Sequence, residues 1–192
     1  MSISHPWLEE TPWPTKQLSV EQLEDKIQRI ISLTNIGYLG TVRKDGSPIV
    51  SPVEFYADHL SLYIFPQPNS PKVKALRRDS RVSFAVANPI AGWACVMGAQ
   101  IFGKGTLLDP ETPEWNHGMQ VFNYPSSNFD LGRPFDRKPP GQLLRIDPER
   151  IVYTEHMMRK EGYAPRQVWE KGESEARVFQ GDNAEGSGKS NI

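Results

Sequence analysis

The feature that most constrains the fold is a run of three short β-type segments, joined by tight turns, in the first half of the chain. Residues 38–42 and 48–56 are rich in apolar and β-branched side chains, and Lys44-Asp45-Gly46-Ser47 between them is typical of a hairpin turn. A second turn at Asp58-His59 leads into residues 60–65. Three antiparallel strands with such short connections form a meander, which predicts a barrel or a sandwich.

Further β-type segments extend this pattern over most of the chain. They cover residues 82–87, 93–108, 142–146 and 151–154. Gly98, Gly103 and Gly105 interrupt the longest segment, and glycines at such positions suit the corners of a barrel. We therefore expect a mainly β fold with short helices. At 192 residues, one domain is the simplest interpretation.

Three segments predict helices. Ser19 followed by Gln22 forms a capping-box pattern, after which apolar residues recur at helical spacing. Ser70-Pro71 combines an N-cap with a proline at the first helical position and predicts a short helix to about Arg78. Thr112-Pro113 begins a third helix in the same way.

The two ends of the chain differ from its middle. Residues 1–18 contain His5-Pro6-Trp7 and Pro12-Trp13-Pro14, which cannot form a regular helix, so we interpret them as a docked N-terminal arm. Residues 19–169 form the predicted domain. The segment 170–192 ends in a polar, glycine-rich stretch that cannot pack into a core, and we expect a disordered tail.

Composition excludes several classes of protein. The net charge of −1 gives no general affinity for nucleic acid, and no stretch approaches the roughly 20 apolar residues of a membrane span. The first residues show no basic segment followed by an apolar run, so no secretory signal is recognised and a cytoplasmic location is expected. The one cysteine, Cys95, lies in an apolar run and is predicted to be a buried small hydrophobic residue.

No motif of metal or nucleophile chemistry is found. The histidines, His5, His59, His117 and His156, are too far apart to form a close ligand pair, so no metal site is predicted. Gly103-x-Gly105 lacks a following helix and fails as a dinucleotide fingerprint. Neither a nucleophile elbow nor a Walker loop occurs. The sequence therefore identifies no catalytic residue.

A basic cluster surrounds the helix that is predicted to begin with Ser70-Pro71. Its members are Lys72, Lys74, Arg77, Arg78 and Arg81. A helix N-terminus presents free N–H groups and the positive end of a dipole, and a lysine two residues inside adds a cation, which together predict a phosphate site. A solvated basic helix face is the alternative interpretation.

Eight stretches follow one another in a characteristic order over about residues 30–155. They are Leu39-Gly40-Thr41-Val42, Asp45-Gly46-Ser47-Pro48, Ser51-Pro52-Val53-Glu54-Phe55, Leu62-Tyr63-Ile64-Phe65, Asn69-Ser70-Pro71-Lys72-Val73, Asp79-Ser80-Arg81-Val82-Ser83, Gln100-Ile101-Phe102-Gly103-Lys104-Gly105 and Leu144-Arg145-Ile146-Asp147-Pro148-Glu149-Arg150-Ile151. No single stretch is specific, but their order and spacing resemble the FMN-binding proteins of the pyridoxamine-5'-phosphate-oxidase-like superfamily. The resemblance implies a six-stranded antiparallel split β-barrel that holds FMN at the interface of a homodimer.

The resemblance also assigns a phosphate grip. The family's Ser-Arg-Lys motif falls on Ser70-Pro71-Lys72, where proline replaces the arginine. Lys74 or a nearby arginine is the candidate to supply the missing charge. Phe65, which ends the strand before this grip, is placed in the same cofactor site.

Two further stretches are implied to contact the flavin ring. The family's Arg-x-Val-Leu-Leu-Lys strand falls on residues 51–56, and Ser51, Pro52, Val53 and Glu54 are the predicted contacts. Val53 matches the family, whereas both basic positions are replaced. The family's flavin-contacting glutamine falls on Gln100, whose amide can donate to or accept from the edge of the ring.

The function implied by the resemblance is that of an FMN-dependent oxidoreductase that acts on a small molecule and takes electrons from a reduced nicotinamide or a deazaflavin. Two alternatives stay open: a non-catalytic module that stores or senses flavin or haem, and a protein-interaction domain. The oxidase that names the family has a C-terminal Arg-x-His pair, which residues 157–169 lack, so another substrate is expected. Residues 123–141 are the candidate specificity loop.

Overall fold

The computed structural model describes residues 14–88, 92–122, 129, 132–134, 136 and 141–179. The α-helices in these ranges are α1 (Val20–Ser32), α2 (Pro71–Leu76) and α3 (Pro113–Val121). The strands are β1 (Ile36–Val42), β2 (Pro48–Glu54), β3 (Tyr56–Asp58), β4 (Ser61–Ile64), β5 (Arg81–Ala87), β6 (Met97–Leu108), β7 (Leu143–Glu155), β8 (Arg166–Glu170) and β9 (Arg177–Val178). Short 3₁₀ helices span Trp93–Cys95 and His156–Glu161.

The described strands form one antiparallel sheet in the order β2-β1-β5-β6-β7-β4-β3. β6 pairs with β7 along its whole length, and on the other edge of β7 the first part pairs with β4 and the second with β8. β9 pairs with β8. The predicted turns after β1 and β3 are confirmed, and each closes a hairpin. The predicted three-stranded meander is not formed, because the β1–β2 and β3–β4 hairpins lie at opposite ends of the strand order.

The sheet curls because its two end strands are neighbours in sequence. β2 and β3 lie at opposite ends of the strand order, yet only Phe55 separates them along the chain. Phe55 is 1% exposed, packs edge-on against Phe84 with ring centroids 4.9 Å apart, and donates its N–H to the carbonyl oxygen of Asn35. The two ends meet at this residue with no β2–β3 pairing among the described strands, so the predicted split barrel is confirmed.

Helix α1 begins where the sequence predicts. The Gln22 N–H donates to Ser19 Oγ at 3.2 Å, and the Ser19 N–H donates to Gln22 Oε1 at 3.1 Å, which completes the capping box. The apolar face of the helix packs into the barrel core through Leu23, Ile27, Ile30 and Ile31. Burial of this face, rather than helix propensity alone, holds α1 in place.

The described part of the predicted arm lies against the barrel. Leu18 is 6% exposed, and its N–H donates to the Oε1 of the fully buried Gln167 at 2.8 Å. Lys16 forms an isolated bridge with Tyr163 and places its ammonium 4.1 Å from the ring centroid. Residues 1–13, which contain the rest of the arm, lie outside the described residues.

The strand count differs from the six that the resemblance implies. The predicted strand 48–56 is divided at Phe55 into β2 and β3, whereas Asp147-Pro148 does not end the closing strand. β7 instead takes a bulge, because Phe102 pairs with Arg150 and Gly103 with Pro148. With β8 and β9 added, nine strands are present among the described residues.

Two local predictions are wrong. Cys95 is exposed, because the residues expected to start the long strand form a 3₁₀ turn and β6 begins only at Met97. The predicted tail is ordered at its start: Ala176 is 1% exposed, and the ring of Phe179 lies 4.0 Å from the guanidinium carbon of Arg166. Residues 170–179 thus belong to the barrel, and residues 180–192 lie outside the described part.

Helix α3 packs on the opposite face of the sheet from the barrel core. Tyr63 alternates with the core residues of β4 and joins a second apolar cluster with Trp115, Met119, Phe122 and Leu143. Gly118 allows the close approach, since a Cβ there would lie 2.4 Å from a side-chain carbon of Leu143. None of the described helices is both long and apolar enough to cross a bilayer.

Candidate functional site

Ser70 precedes α2 with its hydroxyl turned into the protein. The Oγ atom is buried and has no hydrogen-bond partner within the described ranges, and it does not cap the helix that it precedes. A buried hydroxyl left in this state costs about 1–3 kcal/mol. A residue placed in this way is expected to gain a partner when a ligand with acceptor oxygens arrives.

The basic cluster separates into engaged and unengaged side chains. Arg77 donates to Gln142 Oε1 at 3.1 Å, and Arg78 donates to the carbonyl oxygens of Lys74 and Val42 at 2.8 and 3.4 Å. Within the described ranges the ammonium groups of Lys72 and Lys74 form no hydrogen bond or ion pair. The two lysines therefore keep their charge available for an anion, whereas the two arginines that follow α2 do not.

Arg81 is also engaged. Its Nη2 donates to Asp79 Oδ2 at 2.6 Å and its Nε donates to Asp79 Oδ1 at 3.0 Å. The hydrogen bonds from Arg81 lower the pKa of Asp79 from its ordinary value of 3.8 to about 2. This exposed pair neutralises one of the charges that the sequence made a candidate for the missing arginine.

Ser51, Pro52, Val53 and Glu54 lie in the second half of β2, an edge strand of the described sheet. Val53 is 8% exposed and belongs to the barrel core, whereas Pro52 is exposed and lies on the other face. Glu54 Oε1 accepts a hydrogen bond from the Tyr56 hydroxyl at 3.1 Å. A ligand that follows this strand meets backbone and short side chains rather than the basic residues of the family motif.

Gln100 lies in the middle of the sheet, exposed, on the same face as Pro52. The register pairs Pro52 with Tyr38, Tyr38 with Ala85, and Ala85 with Gln100. Three strand spacings separate Pro52 from Gln100, which is about 14 Å. The Gln100 amide has no hydrogen-bond partner in the described part of the chain. The β2 contacts and Gln100 thus share a face without being in contact.

This outer face of β1, β2 and β6 is unusually apolar. Tyr38 is 54% exposed, Val50 65%, Ile36 47% and Phe102 38%. Val50 and Phe102 lie in one row, since Val50 pairs with Gly40, Gly40 with Ser83 and Ser83 with Phe102. Gly40 and Ser83 lie between these two side chains. Several large apolar side chains exposed on one face are a feature of interaction sites in soluble proteins.

Phe65 lies apart from the other predicted contacts. Its ring packs against the second apolar cluster, with its centroid 6.1 Å from that of Phe122. It immediately precedes the loop that leads to Ser70. Most of the predicted specificity loop that follows α3 lies outside the described residues.

Two residues were missed by the sequence interpretation. Thr41 is 3% exposed on β1, which contacts α2, and its Oγ1 has no hydrogen-bond partner in the part of the chain that is described. Tyr38 is an exposed ring between the two groups of predicted contacts. Both lie in a strand whose two faces are apolar, so the sequence does not say which face is covered. Among the described residues no three His, Cys, Asp or Glu side chains converge to hold a metal ion.

Solved structures share this fold. A candidate pyridoxamine 5'-phosphate oxidase from Listeria innocua is 24% identical, with a TM-score of 0.56, over 68% of this chain and 97% of that one. A FAD-binding protein from Mesorhizobium loti is 21% identical, with a TM-score of 0.54, over 73% and 95%. A haem-binding protein from Mycobacterium smegmatis is 16% identical, with a TM-score of 0.61, over 81% of this chain and 59% of that one. At these identities the likeness concerns the fold.

The family is established by sequence. The model of the pyridoxamine 5'-phosphate oxidase family matches residues 23–155, which is more than half of the chain. The matched range begins in α1, covers α2 and the strands of the outer face, and ends with β7. It therefore contains every residue predicted to hold the cofactor. The chain belongs to the pyridoxamine 5'-phosphate oxidase family.

Proposed function

We propose that this protein is an FMN-dependent oxidoreductase that acts on a small molecule and works as a homodimer. The observation that carries the proposal is the buried hydroxyl of Ser70, which has no partner among the described residues, two positions before Lys72, whose ammonium forms no hydrogen bond or ion pair there. Phosphate oxygens accept hydrogen bonds from both groups, and bonds to charged partners are the stronger ones. These residues fit the phosphate of FMN.

Each chain segment has a definite task in this proposal. Ser70 and Lys72 hold the phosphate, and Lys74 adds a second positive charge in place of the arginine that Pro71 replaces. The exposed amide of Gln100 orients the polar edge of the ring. Bound FMN supplies the electron or hydride transfer, so the protein needs no nucleophile of its own.

The outer face supports the homodimer. Four large apolar side chains of β1, β2 and β6 are exposed there, and Gln100 lies on the same face. In an isologous contact the same face of a second chain covers these side chains and adds a second wall over Gln100. A slot with apolar walls and a few polar groups is the usual environment of a flat cofactor.

The absorption spectrum of the protein as purified tests the proposal. We expect the purified protein to show a flavin spectrum, or to quench the fluorescence of added FMN. A reduced nicotinamide or deazaflavin should bleach the bound flavin, and a small-molecule acceptor should reoxidise it. Bound flavin or haem without turnover against such a panel would instead establish the storage or sensing module. Colourless protein that leaves added FMN fluorescent would contradict the cofactor assignment.

Light scattering tests the dimer. We expect the wild-type protein to be a dimer. Tyr38→Glu should dissociate it and release the flavin, because the proposed interface would bury the new charge at this exposed position. Leu33→Glu is the matched control, since Leu33 is 53% exposed but is the C-cap residue of α1 and belongs to none of the strands of that face. A monomeric wild-type protein that still binds FMN would overturn the dimer proposal.

A further inference from the structure

A groove separate from the proposed flavin site runs between α1 and the β3–β4 hairpin. It consists of two adjoining cavities of about 370 and 560 Å³ that share Gln28 and His59. Both volumes lie in the range of small-molecule sites. None of the nine residues predicted to hold FMN lines either cavity.

The two cavities differ in the side chains that line them. The larger one has apolar side chains on both sides, Ile31 and Leu33 at the end of α1 and Tyr56 and Ala57 opposite, and is also lined by Ser32, Thr34 and Asn35. Six of the nine residues that line the smaller one are polar or charged: Glu24, Gln28, His59, Ser61, Asp147 and Lys171. We call the smaller one the polar cavity. Glu24, Gln28 and Ile31 follow one another at helical spacing, so a single face of α1 forms a wall of both cavities.

The acidic groups of the polar cavity are already engaged. Glu24 Oε1 accepts a hydrogen bond from Trp169 Nε1 at 2.6 Å, which also fixes the plane of the indole ring. Asp147 accepts from Arg145 Nε at 2.9 Å and from the Ser61 hydroxyl at 3.4 Å. The carboxylates are therefore held by protein donors.

The donors of the groove are not engaged. Within the described ranges, neither the Gln28 amide nor the Lys171 ammonium forms a hydrogen bond or ion pair. His59 has only a 3.9 Å contact with Asp58. Gln28 and His59 lie where the cavities join, and Lys171 lines the polar one. Unused donors at the junction and a cation at one end match a ligand with negatively charged oxygen atoms.

We propose that this groove binds a small amphipathic organic anion, a carboxylate or sulfonate on a flat apolar body. Lys171, Gln28 and His59 hold the anionic oxygens, and the body lies in the larger cavity against the apolar side chains of Ile31, Leu33 and Tyr56. This site is independent of the flavin slot and of the chemistry proposed there.

Calorimetry with 2-naphthoate on the purified protein, with its cofactor bound, tests the proposal. We expect one 2-naphthoate molecule per chain. Lys171→Gln should raise its Kd about fivefold, as for the loss of one exposed charge contact, and leave the weaker binding of the neutral 2-naphthalenemethanol unchanged. Gln28→Trp, which fills the junction of the cavities, should weaken both ligands. Lys160→Gln, an exposed lysine outside the groove, should change neither.

Several results would overturn the proposal that the groove binds an organic anion. These are absence of 2-naphthoate binding to the wild type, an unchanged Kd in Lys171→Gln, or equal affinity of the wild type for the acid and the alcohol. If Gln28→Trp does not fold, Lys171→Gln alone tests the proposal. Lys171 is exposed, so its substitution should not affect folding. Flavin absorbance recorded in the same samples keeps the two proposals apart, since the groove variants should retain it.

Discussion

The basic segment around α2 has two halves that use their polar groups in different ways. In the second half, Arg77, Arg78 and Arg81 are bound to Gln142, to backbone carbonyls and to Asp79. In the first half, Ser70 and Lys72 have no partner among the described residues. A cluster of charged side chains is therefore a candidate binding site only where the fold leaves some of its polar groups without protein partners. In the proposed function the first half holds the ligand, whereas the second half fastens the helix to the rest of the fold.

Lys72→Gln should have the largest effect on the first half. Loss of a charge-assisted hydrogen bond costs about 1.5–3 kcal/mol, so we expect the Kd for FMN to rise at least about tenfold. The free energy of unfolding of the apoprotein should not change, because Lys72 has no protein partner in the described residues. Fluorescence-quenching titration measures the affinity. Arg81→Gln is the matched control, and an equal loss of affinity there would erase the distinction between the halves.

Ser70→Ala should separate ligand binding from helix stability. Removal of one hydrogen bond of about 0.5–1.5 kcal/mol should raise the Kd for FMN several-fold. The apoprotein should keep or gain stability, because Ser70 makes no capping bond and its buried hydroxyl has no partner in the described residues. Ser19→Ala is the same substitution at the start of α1, where the capping box is complete, and should cost about 1 kcal/mol without changing FMN affinity. Urea unfolding and FMN titration of both variants test the contrast, which fails if Ser70→Ala destabilises the apoprotein as much as Ser19→Ala.

Arg78→Ala should act in the opposite sense to Lys72→Gln. The guanidinium joins α2 to the end of β1, and its removal should lower the free energy of unfolding by about 0.5–1 kcal/mol because the side chain is exposed. FMN affinity should stay within about twofold of the wild type. A large loss of affinity with unchanged stability would place Arg78 in the binding half.

The smallest effect is expected from the Asp79–Arg81 pair, as a function of pH. The pKa of Asp79 is lowered to about 2 in the folded protein from 3.8, so its contribution is present above pH 4 and is lost as the pH falls towards 2. Between pH 4 and pH 2 the Tm of Asp79→Asn should fall less than the Tm of the wild type. The two decreases should differ by no more than about 2 °C, since exposed pairs contribute little. Parallel Tm profiles for wild type and variant would show that the pair has no role in stability.

The sequence predicts those parts of the fold that local signals determine. Ser19 with Gln22, Ser70-Pro71 and Thr112-Pro113 mark the starts of the three helices, and the turn at Gly46 marks the first hairpin. The split at Phe55 was not predicted, because the segment reads as one continuous strand and only long-range pairing divides it. The exposed position of Cys95 was missed for a similar reason, since a 3₁₀ turn replaces the expected start of β6.

The candidate site also has a part that the local sequence predicts and a part that only tertiary contacts determine. Ser70 and Lys72 are two residues apart, so their proximity follows from sequence alone. Pro52 and Gln100 share a face only through the register of four strands, which no local pattern determines. The engagement of Arg77 by Gln142 is likewise a contact between distant segments. Sequence thus supplies the donors of the site, and tertiary contacts decide which of them stay available.

The most direct test of the central claim is the ratio of the Kd values for riboflavin and FMN, which differ only in the phosphate. We predict that the wild-type apoprotein binds FMN at least about tenfold more tightly than riboflavin, as charge-assisted bonds to phosphate require. In Lys72→Gln the two Kd values should approach each other, with riboflavin affinity unchanged. Equal wild-type affinity for both flavins, or a ratio that survives in Lys72→Gln, would contradict the assignment of Ser70 and Lys72 to the phosphate.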